Sequence, residues 1–312
     1  MLEVLVTLFP VFALGLVGFA AARVRAFPPG AMEGMNRFIF DIAAPVTVIR
    51  VLASAELPQS VPWGLLASFY LPLFTTYFTA LAIARRARIE PAEAVMMGFG
   101  ASYGNLVLVG LPVMLLVFGE PALVPYFMLL PLHGMSLMTV TAVLVEASRH
   151  GAGADRRAVA RHILMNPFVV GVGGGVLLRS QGIVLSGPID EVAAVLQQAL
   201  TPCALFSLGV SFAERGFKGH LRTSALLVLS KNVVLPLAVY LLAAHVFDLR
   251  PLWTAVVVLT AAQPIGVLFF VFAARFRTSA AMAASAVSMS TLFTLASLPV
   301  IVWWLRMRGL VD

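Results

Sequence analysis

Gly104-Asn105-Leu106-Val107-Leu108-Val109-Gly110-Leu111-Pro112 interrupts one long apolar run, and Gln263-Pro264-Ile265-Gly266 interrupts another. Glycine weakens a helix through its backbone freedom. Proline weakens it by lacking an N–H and by clashing with the carbonyl four residues back. A peptide group freed at membrane depth has no water to bond. Unwound backbone is therefore tolerated only where it is buried in protein or lines a wet cavity. Interrupted apolar runs at corresponding places in the two halves of a chain point to a transporter's binding site.

Everything around these runs has the composition of a membrane protein. Hydrophobic residues make up 61% of the 312 and charged residues 11%, with a mean hydropathy of +0.98. A soluble domain is roughly half apolar and about a quarter charged. No polar stretch is long enough for a soluble domain; the longest runs from about 147 to 162. The Met-Leu-Glu start lacks a basic flank, so the first apolar run is expected to be retained as a span. The lone cysteine, Cys203, allows neither a disulfide framework nor a Cys-rich metal site. The net charge of +7 fits membrane topology better than nucleic-acid binding, because the basic residues cluster between the spans.

A helical crossing needs about 20 apolar residues. Ten such runs are expected, at 2–22, 32–54, 62–84, 92–118, 121–146, 163–179, 189–212, 223–246, 252–274 and 279–305. Pro28-Pro29-Gly30, Leu57-Pro58, Gly119-Glu120-Pro121 and Arg250-Pro251 punctuate them. The loops after odd-numbered spans hold fourteen basic residues: Arg23, Arg25, Arg85, Arg86, Arg88, Arg149, Arg156, Arg157, Arg161, Arg215, Lys218, Arg222, Arg275 and Arg277. The other loops and the tail hold four, at Arg179, Arg250, Arg306 and Arg308. The positive-inside rule places the odd loops in the cytoplasm and both termini outside a plasma (inner) membrane.

The halves also align with each other. At an offset of 157, Pro10 meets Pro167, Gly18 meets Gly175, Glu33 meets Asp190 and Pro45 meets Pro202. At 159, Gly104-Asn105 meets Gln263-Pro264. Five spans per half is an odd number, so the second half enters the membrane upside down. The expected organisation is therefore an all-α polytopic membrane protein of two inverted five-helix repeats, 1–146 and 163–312. A cytoplasmic loop at 147–162 joins them.

These residues resemble the auxin efflux carrier family. The resemblance rests on the span 4 motif, on Lys231-Asn232-Val233-Val234-Leu235-Pro236 in span 8, and on Gln263-Pro264 followed by Val271-Phe272-Ala273 in span 9. The family includes plant auxin exporters and bacterial permeases often labelled malonate transporters, and it is related in fold to bile-acid symporters and sodium/proton antiporters. The resemblance implies that helices 4 and 9 break and cross at their prolines, with a small organic anion bound beside the crossing. It also implies a moving unit of spans 1, 2, 6 and 7, and a homodimer is consistent with it. The short central loop is similar to that of the bacterial members.

Each candidate residue has a structural reading beside its functional one. Asn105 could donate a side-chain N–H to a carboxylate at a freed helix N-terminus, or simply cap that backbone. Pro112 and Pro264 are expected to cause the breaks, and Gly104, Gly110 and Gly266 to allow close approach. Gln263 could complete the site or make an interhelical hydrogen bond. Lys231 and its neighbour Asn232 lie well inside span 8. There Lys231 could support unwound backbone, titrate during transport, or snorkel to the surface. Asp41 could pair with Arg37 one turn earlier or relay H+ or Na+ near Pro45, but its counterpart Gln198 is not acidic. Arg50 is expected to snorkel. His133 is either a proton carrier or a hydrogen-bonded packing group. Pro45 and Pro202 are candidate hinges.

Enzyme chemistry lacks its parts. An intramembrane aspartyl mechanism needs two acids, and only Asp41 is well inside a span. There is no His-Glu-x-x-His run, no acid-rich Mg2+ motif and no phosphate-binding Gly-x-x-x-x-Gly-Lys loop. No metal or cofactor is expected. The reading favoured is a secondary transporter of small organic carboxylates working by alternating access, with a cation antiporter of the same crossover fold as the alternative.

Overall fold

The computed structural model describes residues 2–28, 31–55, 60–150, 167–215 and 220–310. Residues 151–162 of the expected central loop, Lys218, Pro29-Gly30 and Leu57-Pro58 lie outside the described residues. The described residues are almost wholly helical and contain no strands. In order the helices are α1 (Leu2–Arg23), α2 (Ala31–Arg37), α3 (Ala44–Ser54), α4 (Trp63–Arg86), α5 (Pro91–Ser102), α6 (Leu111–Phe118), α7 (Leu123–His150), α8 (Pro167–Ser180), α9 (Gly187–Arg215), α10 (Leu221–Leu229), α11 (Leu235–Leu241), α12 (Pro251–Ala261), α13 (Leu268–Arg275) and α14 (Ala280–Met307).

Local chemistry explains several of these boundaries. The Glu90 carboxylate accepts from the Glu93 amide, and Pro91 occupies the first turn, so α5 starts with a cap and a residue that needs no helical donor. Of four wide π turns among the described residues, three, Phe38–Ala43, Leu106–Gly110 and Ser230–Val234, end two residues before a proline, Pro45, Pro112 and Pro236; the fourth, Leu242–Val246, does not. Proline has no N–H to donate to the carbonyl of the preceding turn and its ring clashes with that carbonyl at α-helical spacing, and a π turn moves the carbonyl aside.

Among the described residues, six helical stretches are long and apolar enough to cross a membrane: Val6–Arg23, Trp63–Arg86, Glu120–Arg149, Gly187–Ala213, Leu221–Val246 and Ala280–Met307. Leu106–Phe118, Pro167–Ser180 and Pro251–Ala261 are shorter apolar helices. Large apolar side chains such as Phe9, Leu16, Val192, Leu237 and Met307 remain exposed, which suits a lipid solvent better than water.

The interior divides into two apolar cores. One joins α4, α5, the later part of α7 and α10–α14, around Phe69, Tyr77, Phe99, Leu235 and Phe269. The other joins α1, α3, α6, α8 and α9, around Leu8, Val48, Met114, Leu200 and Leu205. In the second core α1 packs on α9 so closely that a Cβ at Gly18 or Gly209 would overlap the facing backbone. Small residues give membrane helices this proximity, where hydrophobic driving force between them is weak. Span 4 changes core at its break: α5 belongs to the first, and Leu106–Val117 to the second.

Candidate functional site

The first break falls at Tyr103-Gly104-Asn105, where α5 has ended and the π turn at Leu106 has not begun. Pro112 is therefore not at the break; it sits in the first turn of α6 and shapes the π turn before it. The second break spans 262–267 and does contain Pro264. The two breaks touch. Gly104 and Ile265 form an isolated antiparallel bridge, in which the Asn105 amide donates to the Pro264 carbonyl at 2.7 Å and the Gly266 amide to the Tyr103 carbonyl at 3.1 Å. Backbone that lost its helical partners thus finds new ones across the molecule. Gly266 is required for this approach, because a Cβ there would overlap the Tyr103 ring.

Different side chains secure the two breaks. At the first, His133 Nε2 accepts from the Gly104 amide at 3.0 Å, and Asn105 Oδ1 accepts from the Leu108 amide at 3.2 Å. The Tyr126 hydroxyl donates to the Leu106 carbonyl. The His133 ring stacks on Tyr103 with centroids 5.3 Å apart. At the second break the Lys231 ammonium does not reach the surface. It donates to the Ala261 carbonyl at 2.5 Å and the Gln263 carbonyl at 2.9 Å, both at the C-terminal end of α12. A cation there also meets the negative end of the helix dipole. Asn232 Nδ2 donates to Thr294 Oγ1 at 2.9 Å, and the Ala262 and Gln263 carbonyls lie 3.3 and 3.4 Å from it. Ser290 Oγ accepts from the Ile265 amide at 2.8 Å and donates to Asn232 Oδ1 at 2.6 Å.

A cavity of about 1350 Å³ leads from the breaks toward the end of the molecule that carries Arg25 and Phe27. Tyr103, Gly104, Asn105, Leu106–Leu108, His133, Gly266, Val267 and Leu268 line its inner part; Asn36, Arg37, Phe40 and Asp41 line one flank. Two buried polar atoms among these residues lack a partner, Asn105 Nδ2 and His133 Nδ1. Since His133 Nε2 accepts, the ring proton belongs on Nδ1, so both free atoms are donors. Arg37 pairs with Glu33 at 2.7 Å rather than with Asp41. Asp41 has no partner among the described residues and stands exposed in the cavity wall, inside a π turn.

The structure separates the remaining sequence candidates from this cavity. Gln263 is fully buried, donates Nε2 to the Leu259 carbonyl of α12, keeps a buried Oε1 without a partner, and lies against Gly110; neither Gln263 nor Gly110 lines the cavity. Pro112, Pro264, Lys231 and Asn232 stand behind the cavity wall. Pro45 lies at the start of α3, where its carbonyl faces Gly171 of α8, and Pro202 lies inside α9. Sequence reading missed Tyr103, Tyr126, Ser290 and Thr294. Ser290 had a signal, since it lies 157 residues after His133, the offset of the repeat.

Two broken helices joined at a polar centre, reached by a cavity from one end of an otherwise apolar helical body, belong to a membrane transporter. The chain belongs to the membrane transport protein family, the auxin efflux carriers, whose match covers residues 3–157 and 156–302. It is 27% identical to a Rhizobium meliloti protein named "Putative malonate transporter", over 99% of this chain and 98% of that one. It is 25% identical to an "Uncharacterized transporter" of Methanothermobacter thermautotrophicus, over 94% and 95% of the two chains.

Proposed function

We propose that this protein is a secondary transporter of small organic carboxylates in the plasma (inner) membrane, with its termini outside, and that the carboxylate binds where the two breaks meet. The observation that carries the reading is the Asn105 Nδ2 donor. Asn105 as a whole is 6% exposed, its Nδ2 is buried without a partner, and the residue sits in the cavity wall at the start of the Leu106–Phe118 helical stretch. The first amides of a helix have no intrahelical acceptor and face the positive end of the dipole, so a carboxylate is the favoured guest. His133, which also lines the cavity, holds a second buried donor without a partner at Nδ1. The name of the Rhizobium relative supports the same substrate class.

In this reading the helices form ten crossings in two inverted repeats, with α5–α6 and α12–α13 as the crossing pair. The matched roles of His133 and Ser290 support the repeat, since each accepts an amide from one partner of the Gly104–Ile265 bridge. Spans 1, 2, 6 and 7 move as one unit, bending at Pro45 and Pro202, and Lys231 with Asn232 keeps the second break intact. Asp41 is the coupling group for H+ or Na+, because it is an exposed carboxylate in the cavity wall with no partner among the described residues.

Thermal unfolding of the purified protein over a panel of mono- and dicarboxylates tests the reading. A ligand bound only by the folded state raises its stability by mass action. One carboxylate should stabilise the parent protein and leave Asn105→Ala unshifted. If Na+ or pH shifts the parent and no carboxylate does, the cation antiporter, which the exposed Asp41 favours, replaces it.

A further inference from the structure

The end of the molecule opposite the cavity mouth has an apolar layer: Val51, Leu52, Val113, Met114, Val117 and Leu200 are buried in one core, none of them lines the large cavity, and of the six only Leu52 also lines a smaller cavity of about 550 Å³. Above it lies a polar cluster centred on Arg50, near the end of α3. Arg50 Nε donates to Asp190 Oδ1 at 2.7 Å and Nη2 to Asp190 Oδ2 at 3.3 Å. Nη1 donates to Glu120 Oε1 and to Gln197 Oε1, both at 3.1 Å. Gln197 Nε2 closes the ring by donating to Glu120 Oε1 at 3.1 Å. Asp190 and Gln197 are on α9, and Glu120 is on the single turn between α6 and α7.

The links differ in strength in a way that suits a gate. Arg50–Asp190 is a two-pronged charged pair between two helices of the second core, α3 and α9, with side chains 22% and 31% exposed. Such a fork is among the stronger polar contacts. Glu120 is 60% exposed and meets Arg50 through one oxygen. Exposed pairs of this kind contribute little and are readily replaced by water. The strong link stays within the α3–α9 group; the weak one ties that group to the corner of the crossing helix. We propose that Arg50, Asp190, Gln197 and Glu120 form the closed gate of the transport path on this side, and that it opens by release of Glu120 while Arg50 and Asp190 move together. The proposal rests on the alternating-access reading above.

Access can be read without any substrate. In a Cys203→Ser background reconstituted into nanodiscs, Val113→Cys reports the sealed end and Val271→Cys the open cavity. A membrane-impermeant maleimide serves as the probe. With Glu120→Ala, labelling at position 113 should rise about fivefold and labelling at 271 should not rise. Raising choline chloride, which adds no Na+, should speed labelling at 113 in the protein with Glu120 intact and have no such effect in Glu120→Ala, because the exposed Arg50–Glu120 pair that ties the two groups together is absent there and the Arg50–Asp190 pair lies within one group. Equal increases at 113 and 271 mean general loosening and overturn the gate. Unchanged labelling at 113 in both the variant and the salt series also overturns it. If Glu120→Ala does not fold, the salt series decides. A protein that transports no carboxylate still answers this test, so the two readings fail separately.

Discussion

The two helix breaks touch each other but are built for different work. The first, at Tyr103–Asn105, is held by neutral groups and faces the cavity, with two donors left over. The second, at 262–267, is held by a buried ammonium, an amide and two hydroxyls, and only its Gly266 and Val267 line the cavity. Position 74, the counterpart of Lys231 at an offset of 157, is a phenylalanine, so the cation serves one break alone. The difference teaches that equivalent backbone interruptions need not share a function. At the first break the atoms left over are donors among the residues that line the cavity; at the second the one side-chain atom left over among the described residues, Gln263 Oε1, is an acceptor buried away from it.

The largest effect that sharpens this contrast is expected at Lys231. Lys231→Met leaves two buried carbonyls without their donor, and unfolding free energy should fall by about 3 kcal/mol, read as a lower unfolding temperature. Replacing a buried charge by an apolar side chain of similar length can also be neutral. An unchanged unfolding temperature would therefore break the contrast between a buttressed and an open break. His133→Leu removes one acceptor from one amide, so the expected loss is smaller, about 1–2 kcal/mol, and His133→Gln should restore part of it. If His133→Leu costs as much as Lys231→Met, the first break is buttressed no less than the second.

Next in size is the paired comparison of Asn105→Ala with Ser290→Ala. Each should lower stability by about 1 kcal/mol, through loss of a helix cap in one case and of an amide acceptor in the other. Only Asn105→Ala should abolish the carboxylate-induced rise in unfolding temperature. Loss of that rise in both variants would make the second break part of the ligand site. Asp41→Asn should be the mildest, within about 0.5 kcal/mol of the parent, because the carboxylate is exposed and has no partner among the described residues. Its effect should appear instead as lost dependence of transport on H+ or Na+, measured in proteoliposomes with imposed gradients.

Much of this was legible in the sequence, for physical reasons. Gly104-Asn105 and Gln263-Pro264 stood out because apolar runs rarely tolerate them, and they do mark the two breaks. Pro112 misled, because a proline two residues into a helical segment is accommodated by a π turn and need not end the helix. Arg50 was expected to snorkel, yet it finds Glu120, Asp190 and Gln197 at separations of 70, 140 and 147 residues. Asp41 and Arg37 have pairing spacing, but Glu33 is one turn away on the other side and takes the guanidinium. Gln263 and Asn105 occupy matching places in the two motifs, and nothing in either motif says which one meets the cavity.

The sequence by itself determined the class of solvent, the segments that become apolar helices, and the two places where a helix would give way. Those properties are local: they depend on side-chain polarity, on proline and glycine, and on charge near each span. Only the tertiary structure decided that the two breaks pair with each other, that Lys231 serves α12 from 30 residues away, and that Asn105 faces the cavity while Gln263 faces protein. A freed backbone group takes whatever partner the packing of distant helices brings within 3 Å or so, and that partner is not written beside it in the chain.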